Sequence, residues 1–341
     1  MLLRTLLRKA TRKKGEPLNI ITFPTHERYE SNLCKTGHNF YSLAIKQFTK
    51  GSWNEKYAEI PKNYHIIYCE PDSIEVPPNL DIDLVLSQNK YGQFDVAKEL
   101  ARQIGCPLIN LEHTTTTTEN TLHEEALVAS KKMVADFNIY ISEYNKDAWE
   151  WELPYRVIHH GIDTDTFLCH TNQAEKEAVA LSVVNDWENR DWCCGFNLWR
   201  TVTGFPHNPV VPTKVIGDNP GISEAASGIE ELAKAYDNSR VYLNTSTASP
   251  IPTSMLEAMS CGCAIVSTNN CMIPEIINHG VNGFLSNNPM ELREYTLKLL
   301  SDDDLAIKMG KSARKTIEDK FSLNRFLENW GDLFQEVANE G

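Results

Sequence analysis

Ser246-Thr-Ala-Ser-Pro-Ile-Pro-Thr-Ser-Met-Leu-Glu-Ala-Met-Ser-Cys-Gly-Cys-Ala-Ile-Val266 is the stretch whose reading decides the fold. It starts as a turn-rich loop stiffened by Pro250 and Pro252, opens a short helix that Thr253 or Ser254 can cap, and runs through Gly262 into a buried strand. The first N–H groups of such a helix lack intrahelical partners, and the helix dipole adds partial positive charge behind them. That end is a site for a diphosphate. Glu257 follows within the first turn or so, where a carboxylate can accept two hydrogen bonds from a ribose diol. The plainer alternative for Glu257 is a favourable charge near a helix amino end.

Outward from this stretch, short Ile-, Val- and Leu-rich runs alternate with segments of helical period, the pattern of βα units and mostly parallel sheets. In the first half the strand-like runs are Leu18–Phe23, Tyr64–Cys69, Ile82–Ser87, Pro107–Glu112, Asn138–Ser142 and Arg156–His159, with helices over Gln93–Ile104 and Glu119–Val134. In the second half they are Ala178–Val184, Thr213–Gly217, Arg240–Asn244, Cys263–Ser267 and Gly283–Ser286, with helices over Ile222–Tyr236, Pro252–Ser260 and Pro289–Leu300. The polar stretch Asp163–Lys176 separates the two series as a hinge, and Leu323–Val337 reads as a closing amphipathic helix. Ligands of open parallel sheets bind outside the carboxyl ends of strands, so the residues just after each run are the candidates, and two such domains would make a cleft.

The 341 residues favour two domains, and 41% hydrophobic with 23% charged residues is ordinary globular composition. A formal charge of −13 disfavours sequence-blind wrapping of nucleic acid, which needs a basic surface, without excluding a local basic site. Nine scattered cysteines, an odd number, suit a reducing cytoplasm. Residues 1–14 depart from the acidic average. Leu2, Leu3, Leu6, Leu7 and Ala10 recur at helical spacing among Arg4, Arg8, Lys9, Arg12, Lys13 and Lys14, so a short helix there is expected to offer a peripheral contact to an anionic membrane. Asp81-Ile-Asp83 and Asp163-Thr-Asp165 mimic a metal-binding aspartate pair, but the first leads into a strand instead of following one, and no metal site is expected. Neither Cys193-Cys194 nor Cys261-Gly-Cys263 has a second pair at zinc spacing, and dinucleotide and P-loop glycine motifs are absent from the sequence.

Leu256-Glu257-Ala258-Met259 followed by Cys261-Gly262 resembles the signature helix of glycosyltransferase family 4, a group 1 family of GT-B type. Val157-Ile-His-His-Gly-Ile-Asp-Thr-Asp-Thr-Phe167 resembles its interdomain segment. Leu181-Ser-Val183, Lys214-Val-Ile-Gly-Asp218, and Pro274-Glu275 running to Gly280-Val-Asn-Gly-Phe284 add further matches. The resemblance is strong from about His159 to Val337 and weaker before it. The first half, with Thr25-His-Glu-Arg-Tyr29, Lys35-Thr-Gly-His38 and Leu111-Glu-His-Thr114, is similar to transferases of environmental phages and marine bacteria.

The resemblance implies an α/β GT-B fold: two facing Rossmann-like domains with an interdomain cleft. An acceptor domain is expected over 1–160, a nucleotide-sugar donor domain over 161–320, and a helix over 321–341 that packs back on the first domain. It implies a metal-independent, retaining glycosyltransferase with no cofactor, a UDP-sugar as co-substrate, and a glycan or glycolipid acceptor. In the family the second of two paired glutamates binds ribose, and it maps onto Glu257; the first maps onto Ser249, which departs from the pattern. Thr253, Ser254 and Asp218 join the donor site. Arg190 follows the strand Ala178–Val184, where the family places a basic residue, and a guanidinium can hold two oxygens of the departing diphosphate. The alternative for Arg190 is pairing with Asp186 or Asp191. His113 closes Pro107–Glu112, from which the family sends a histidine toward the sugar, and a neutral imidazole can accept from a hydroxyl. Gly37, after the first strand, resembles the glycine-bearing loop beneath the donor phosphates. His38, His26 and Thr114 are acceptor-side candidates, with Thr114–Thr118 as a mobile polar lip. A cytoplasmic enzyme, peripheral at the inner membrane face, follows. Other readings are transfer to a hydroxymethylated base of phage DNA, a sugar-nucleotide epimerase, and a non-catalytic sugar-nucleotide-binding protein.

Overall fold

The computed structural model describes residues 8–9, 15–46, 53–55, 57–70, 73–77, 80–88, 90–116, 128, 131–171 and 175–340. The chain divides into two compact units, Met1–Gly161 with Asn324–Gly341, and Ile162–Leu323.

The first unit is built on a seven-stranded sheet in which every pairing is parallel. A two-residue strand β1 (Arg8–Lys9) pairs in parallel with β5 (Asp81–Ile82) beside it. The main strands are β2 (Asn19–Thr22), β3 (Asn39–Ile45), β4 (Tyr64–Cys69), β6 (Leu84–Ser87), β7 (Leu108–Glu112), β8 (Phe137–Tyr140) and β9 (Arg156–Val157). Their order across the sheet is β4-β3-β2-β6-β7-β8-β9. Ile20, Ile21, Leu84, Val85 and Ile109 are fully buried, as continuous apolar strands covered on both faces must be. Helix α2 (Lys90–Ile104) turns Phe94, Ala97, Leu100, Ala101 and Ile104 onto this sheet at helical spacing, and each large side chain so buried contributes about 1.5–3 kcal/mol. Helices α1 (Glu27–Cys34) and α3 (Glu143–Ala148) also lie before Gly161.

In the second unit β10 (Glu177–Val183), β11 (Thr213–Ile216), β12 (Ser239–Asn244), β13 (Ala264–Ser267) and β14 (Phe284–Leu285) form another parallel sheet, in the order β11-β10-β12-β13-β14. Around it lie α4 (Asp191–Cys194), α5 (Phe196–Thr203), α6 (Ile229–Asn238), α7 (Thr253–Ser260), α8 (Ile273–Ile276), α9 (Pro289–Ser301) and α10 (Asp303–Lys320). Met255, Leu256, Ala258 and Met259 are all completely buried, so α7 is a core helix and not an amphipathic surface one. The last helix (Leu323–Glu340) returns to the first unit, where Trp330 Nε1 donates to Tyr29 Oη at 3.1 Å and Arg156 pairs with Glu336.

The expected α/β class with two parallel-sheet domains is borne out. Three local expectations change, and a fourth falls outside the described residues. Helix α6 starts at Ile229, not Ile222, because the chain turns at Asn219–Ser223 and Gly228 is extended. Of the helix expected within 1–14, only Arg8 and Lys9 are described, and they form a strand paired with Asp81–Ile82. The helix over Glu119–Val134 lies almost wholly outside the described residues. Thr114–Thr116 is not a lip: Thr115 and Thr116 are buried, while Thr117 and Thr118 lie outside the described residues. Among the described residues no helix is long and apolar enough to cross a membrane.

Candidate functional site

Each sheet has one switch point, where neighbouring strands send their following connections to opposite sides and leave a crevice at their carboxyl ends. In the second unit it lies between β10 and β12. Three loops meet there and are tied by their backbones. Thr247 and Ala248 donate to Cys193 O at 2.9 and 3.2 Å, and Thr247 Oγ1 donates to Trp192 O at 2.8 Å. Gly195 allows this approach: it is left-handed at φ +67°, and a Cβ there would lie 1.9 Å from Thr245 O. Gly217 does the same after β11, where a Cβ would lie 1.8 Å from Val184 O. Asp218 N then donates to Asn185 Oδ1 and Asp186 N to Asp218 O, each at 2.9 Å. Asp186 itself sits at φ +52°, a conformation that costs a non-glycine residue about 1 kcal/mol or more.

These ties bring Arg190, Asp218, Ser249, Thr253 and Ser254 to one edge. Arg190 is exposed, and among the described residues its Nη1 donates only to Asn185 O, at 3.3 Å. The acids that sequence offered it are held by asparagines instead: Asn189 Nδ2 binds Asp186 at 2.6 Å, while Asn197 binds Asp191 through N at 2.8 Å and Nδ2 at 2.6 Å. Its guanidinium therefore faces solvent beside the loops, available to an anion. Ser249 is half-buried in the loop between β12 and α7, and the Asp218 side chain is exposed.

The α7 terminus departs from expectation in one respect. Pro252 is the capping residue and no side chain caps it, because the helix begins at Thr253 and puts Thr253 and Ser254 inside the first turn. Ser254 Oγ instead accepts from Tyr242 Oη at 2.7 Å. The N–H groups of Thr253 and Ser254 remain without an acceptor among the described residues, so the dipole end is open to an anion. Glu257 stands in the second turn, only 4% exposed, and accepts from Tyr236 Oη at 3.0 Å. Tyr236 was not anticipated; as the last aromatic before β12 it reads as core in sequence.

The first unit's switch point lies between β2 and β6. His26 follows β2 and is exposed, Gln88 follows β6 and is buried, and His113 follows β7. Tyr29 on α1 stands edge-on to both His113 and His160, with ring centroids 4.5 and 5.1 Å away, and the two imidazoles are 5.8 Å apart. Burial, reinforced by the neighbouring His160 and His26, holds His113 well below the usual imidazole range. Burial, with His26 and His159 beside it, pushes His160 down to about 3. Both rings are neutral at pH 7. Sequence missed Tyr29, His160 and Gln88, although the first two lie in quoted motifs and the third directly follows a strand-like run.

Three candidates stand apart. Gly37 (φ +86°) and His38 come after α1 and before β3, not after the first strand, and so lie at the amino edge of the sheet. There His38 Nδ1 accepts from Leu18 N at 3.2 Å and its ring packs on Phe334 at 5.3 Å. Thr114 is pinned: Glu112 Oε1 accepts from its N and Oγ1 at 2.9 and 2.7 Å, and its carbonyl accepts from Asn145 Nδ2 and Trp149 Nε1 at 2.6 and 2.8 Å.

Residues 225–316, which contain α6, α7 and Glu257, match the family described as Glycosyl transferases group 1. The matched residues lie wholly within the second unit. Among curated proteins the chain is similar to N-acetyl-alpha-D-glucosaminyl L-malate synthase of Bacillus anthracis, 28% identical over 88 residues, which is 25% of this chain and 23% of that protein. The match thus spans about a quarter of that relative. Among solved structures the chain resembles sucrose-phosphate synthase from Thermosynechococcus elongatus (TM-score 0.74, 14% identity, 95% of this chain and 100% of the other). It also resembles Anabaena Alr3699/HepE in complex with UDP and glucose (TM-score 0.71, 14% identity, 93% and 99%). At these identities the likeness is one of fold, and it covers nearly the whole chain, well beyond residues 225–316.

Proposed function

We propose that the chain is a glycosyltransferase that takes a sugar from a UDP-sugar and transfers it, with retention and without a metal, to a hydroxyl of a glycan or glycolipid. The carrying observation is the second switch point, where uncapped α7 N–H groups, the exposed Arg190 and the buried Glu257 share one strand edge. The diphosphate lies on the amides of Thr253 and Ser254, and Glu257, held by Tyr236, accepts from the ribose hydroxyls. Arg190 meets the phosphate oxygens and stabilises the charge that grows as the glycosidic bond breaks. Ser249 and Asp218 complete the donor side. The first unit supplies acceptor-side polar groups, with His113 and His26 at its carboxyl edge; a neutral imidazole there accepts from a sugar hydroxyl. Retention follows if the acceptor attacks from the face that the phosphate leaves, the leaving oxygen taking its proton. The named relatives, one seen with UDP and glucose, support a UDP-sugar as donor. We place the work in envelope polysaccharide or glycolipid synthesis.

A panel of nucleotide sugars, read by thermal shift and by release of free nucleotide, followed by acceptors with the best donor, tests this. Release that rises on adding a glycan or glycolipid is expected. A donor converted to its epimer without acceptor, or bound without turnover, would contradict transfer, and salt-sensitive transfer to DNA would replace the proposed acceptor.

A further inference from the structure

Two short hydrogen-bonded chains meet at Gln88 beside the first switch point, one at its backbone and one at its side chain. Thr25 Oγ1 donates to Phe23 O and accepts from Gln93 Nε2, both at 3.1 Å. The other end of the Gln93 amide is then its oxygen, and it accepts the Gln88 backbone N–H, which can only donate, at 3.1 Å. The Gln88 side chain, completely buried, donates from Nε2 to Thr22 Oγ1 at 3.0 Å. Its oxygen is left facing His113 Nε2 at 3.4 Å. An amide oxygen can only accept, so this contact favours the tautomer in which the imidazole nitrogen opposite it carries the proton.

We propose that Gln88 is a positioning residue that holds His113 as the Nε2–H tautomer and presents Nδ1 as a bare acceptor at the strand edge. The step from tautomer to turnover rests on the reading of His113 as a group that meets a substrate hydroxyl. His113 Nδ1 has no protein partner among the described residues. The ring groups around it, His26, His160 and Tyr29, bring no carboxylate that would draw a second proton onto it. A ring in this state accepts and cannot donate on its substrate side. It therefore favours a hydroxyl, which brings its own proton, over a carbonyl or phosphate oxygen, which would need one. At 3.4 Å the Gln88 contact is long, so its effect is a bias in tautomer population worth one modest hydrogen bond.

The test is a long-range ¹H–¹⁵N spectrum of the full chain with labelled histidine, His113 being assigned by its loss in His113→Asn. The expected result is a pyrrole-type Nε2 and a pyridine-type Nδ1 for His113, and a mixed pattern in Gln88→Leu. With the best donor, kcat should fall roughly 3–10-fold in Gln88→Leu, with KM for donor unchanged. A pyrrole-type Nδ1 in the unaltered chain, a spectrum unmoved by Gln88→Leu, or a moved spectrum with unmoved kcat each overturns the proposal. Should Gln88→Leu fail to fold, the spectrum of the unaltered chain still decides. Failure of the transferase reading appears separately, as no nucleotide released by the unaltered chain from any donor, and leaves the spectrum unchanged.

Discussion

The two sheets share a plan and differ in chemistry at the same topological place. At the second unit's switch point the chain supplies positive character without a buried cation: open amides at α7 and a solvent-facing guanidinium at Arg190, with the buried Glu257 carboxylate beside them held by Tyr236. At the first unit's switch point it supplies imidazoles stripped of charge by burial and packed around Tyr29. One edge suits a phosphate anion and the other suits neutral hydroxyls. The parallel α/β plan decides where ligands bind, and a few side chains after the strands decide which ligands.

The comparison breaks most visibly at Arg190. Arg190→Ala should lower kcat by about 10²–10³-fold while UDP affinity falls far less, since the cation acts mainly on charge that develops during transfer. An unchanged kcat would remove Arg190 from the chemistry. On the other edge, His113→Ala should lower kcat by roughly 10²-fold and leave UDP binding alone; a large loss of UDP affinity would mean that the first edge also binds the anion. Glu257→Gln sharpens the donor side: calorimetry should show UDP binding weakened about 10-fold, and Tyr236→Phe about 3-fold, as expected for losing a charged and then a neutral hydrogen-bond partner.

The smallest effect concerns pH. His113 and His160 have folded values below the unfolded imidazole value, so the unfolded chain binds more protons below about pH 6.5. Stability is therefore full above that pH and is lost as pH falls toward the folded values. A melting temperature on the order of 5–10 °C lower at pH 5 than at pH 7 is expected, and replacing His160 by Asn should shrink the difference. A flat profile would show that these rings are not held neutral.

Much of the fold was legible because buried parallel strands are nearly uninterrupted apolar runs. Val241, Tyr242 and Leu243 of β12 and Ala264, Ile265 and Val266 of β13 are all buried. Helix α1 was not legible, since its inner face carries acids. Glu30 reaches back to accept from Thr25 N and His26 N at 2.5 and 3.0 Å, and Glu27 accepts from Asn54 N at 2.9 Å. Those buried carboxylates break the apolar stripe that marks a helix. With α1 unseen, β3 was missed too, and Gly37 and His38 were read as following the first strand. The donor-side residues were easier, because Arg190 and the Ser249–Glu257 stretch are close in sequence to the strands that carry them. Gln88, Tyr29 and His160 meet only through the order of the sheet, and no local pattern records that.

The measurement closest to the central claim is hydrogen–deuterium exchange of the full chain with and without UDP. Binding at the amino end of α7 should slow exchange across residues 249–257 and in the Asn185–Asp191 loop, and Glu257→Gln should weaken that protection. Protection confined to other segments, with these two exchanging as in the free chain at saturating nucleotide, would contradict the account.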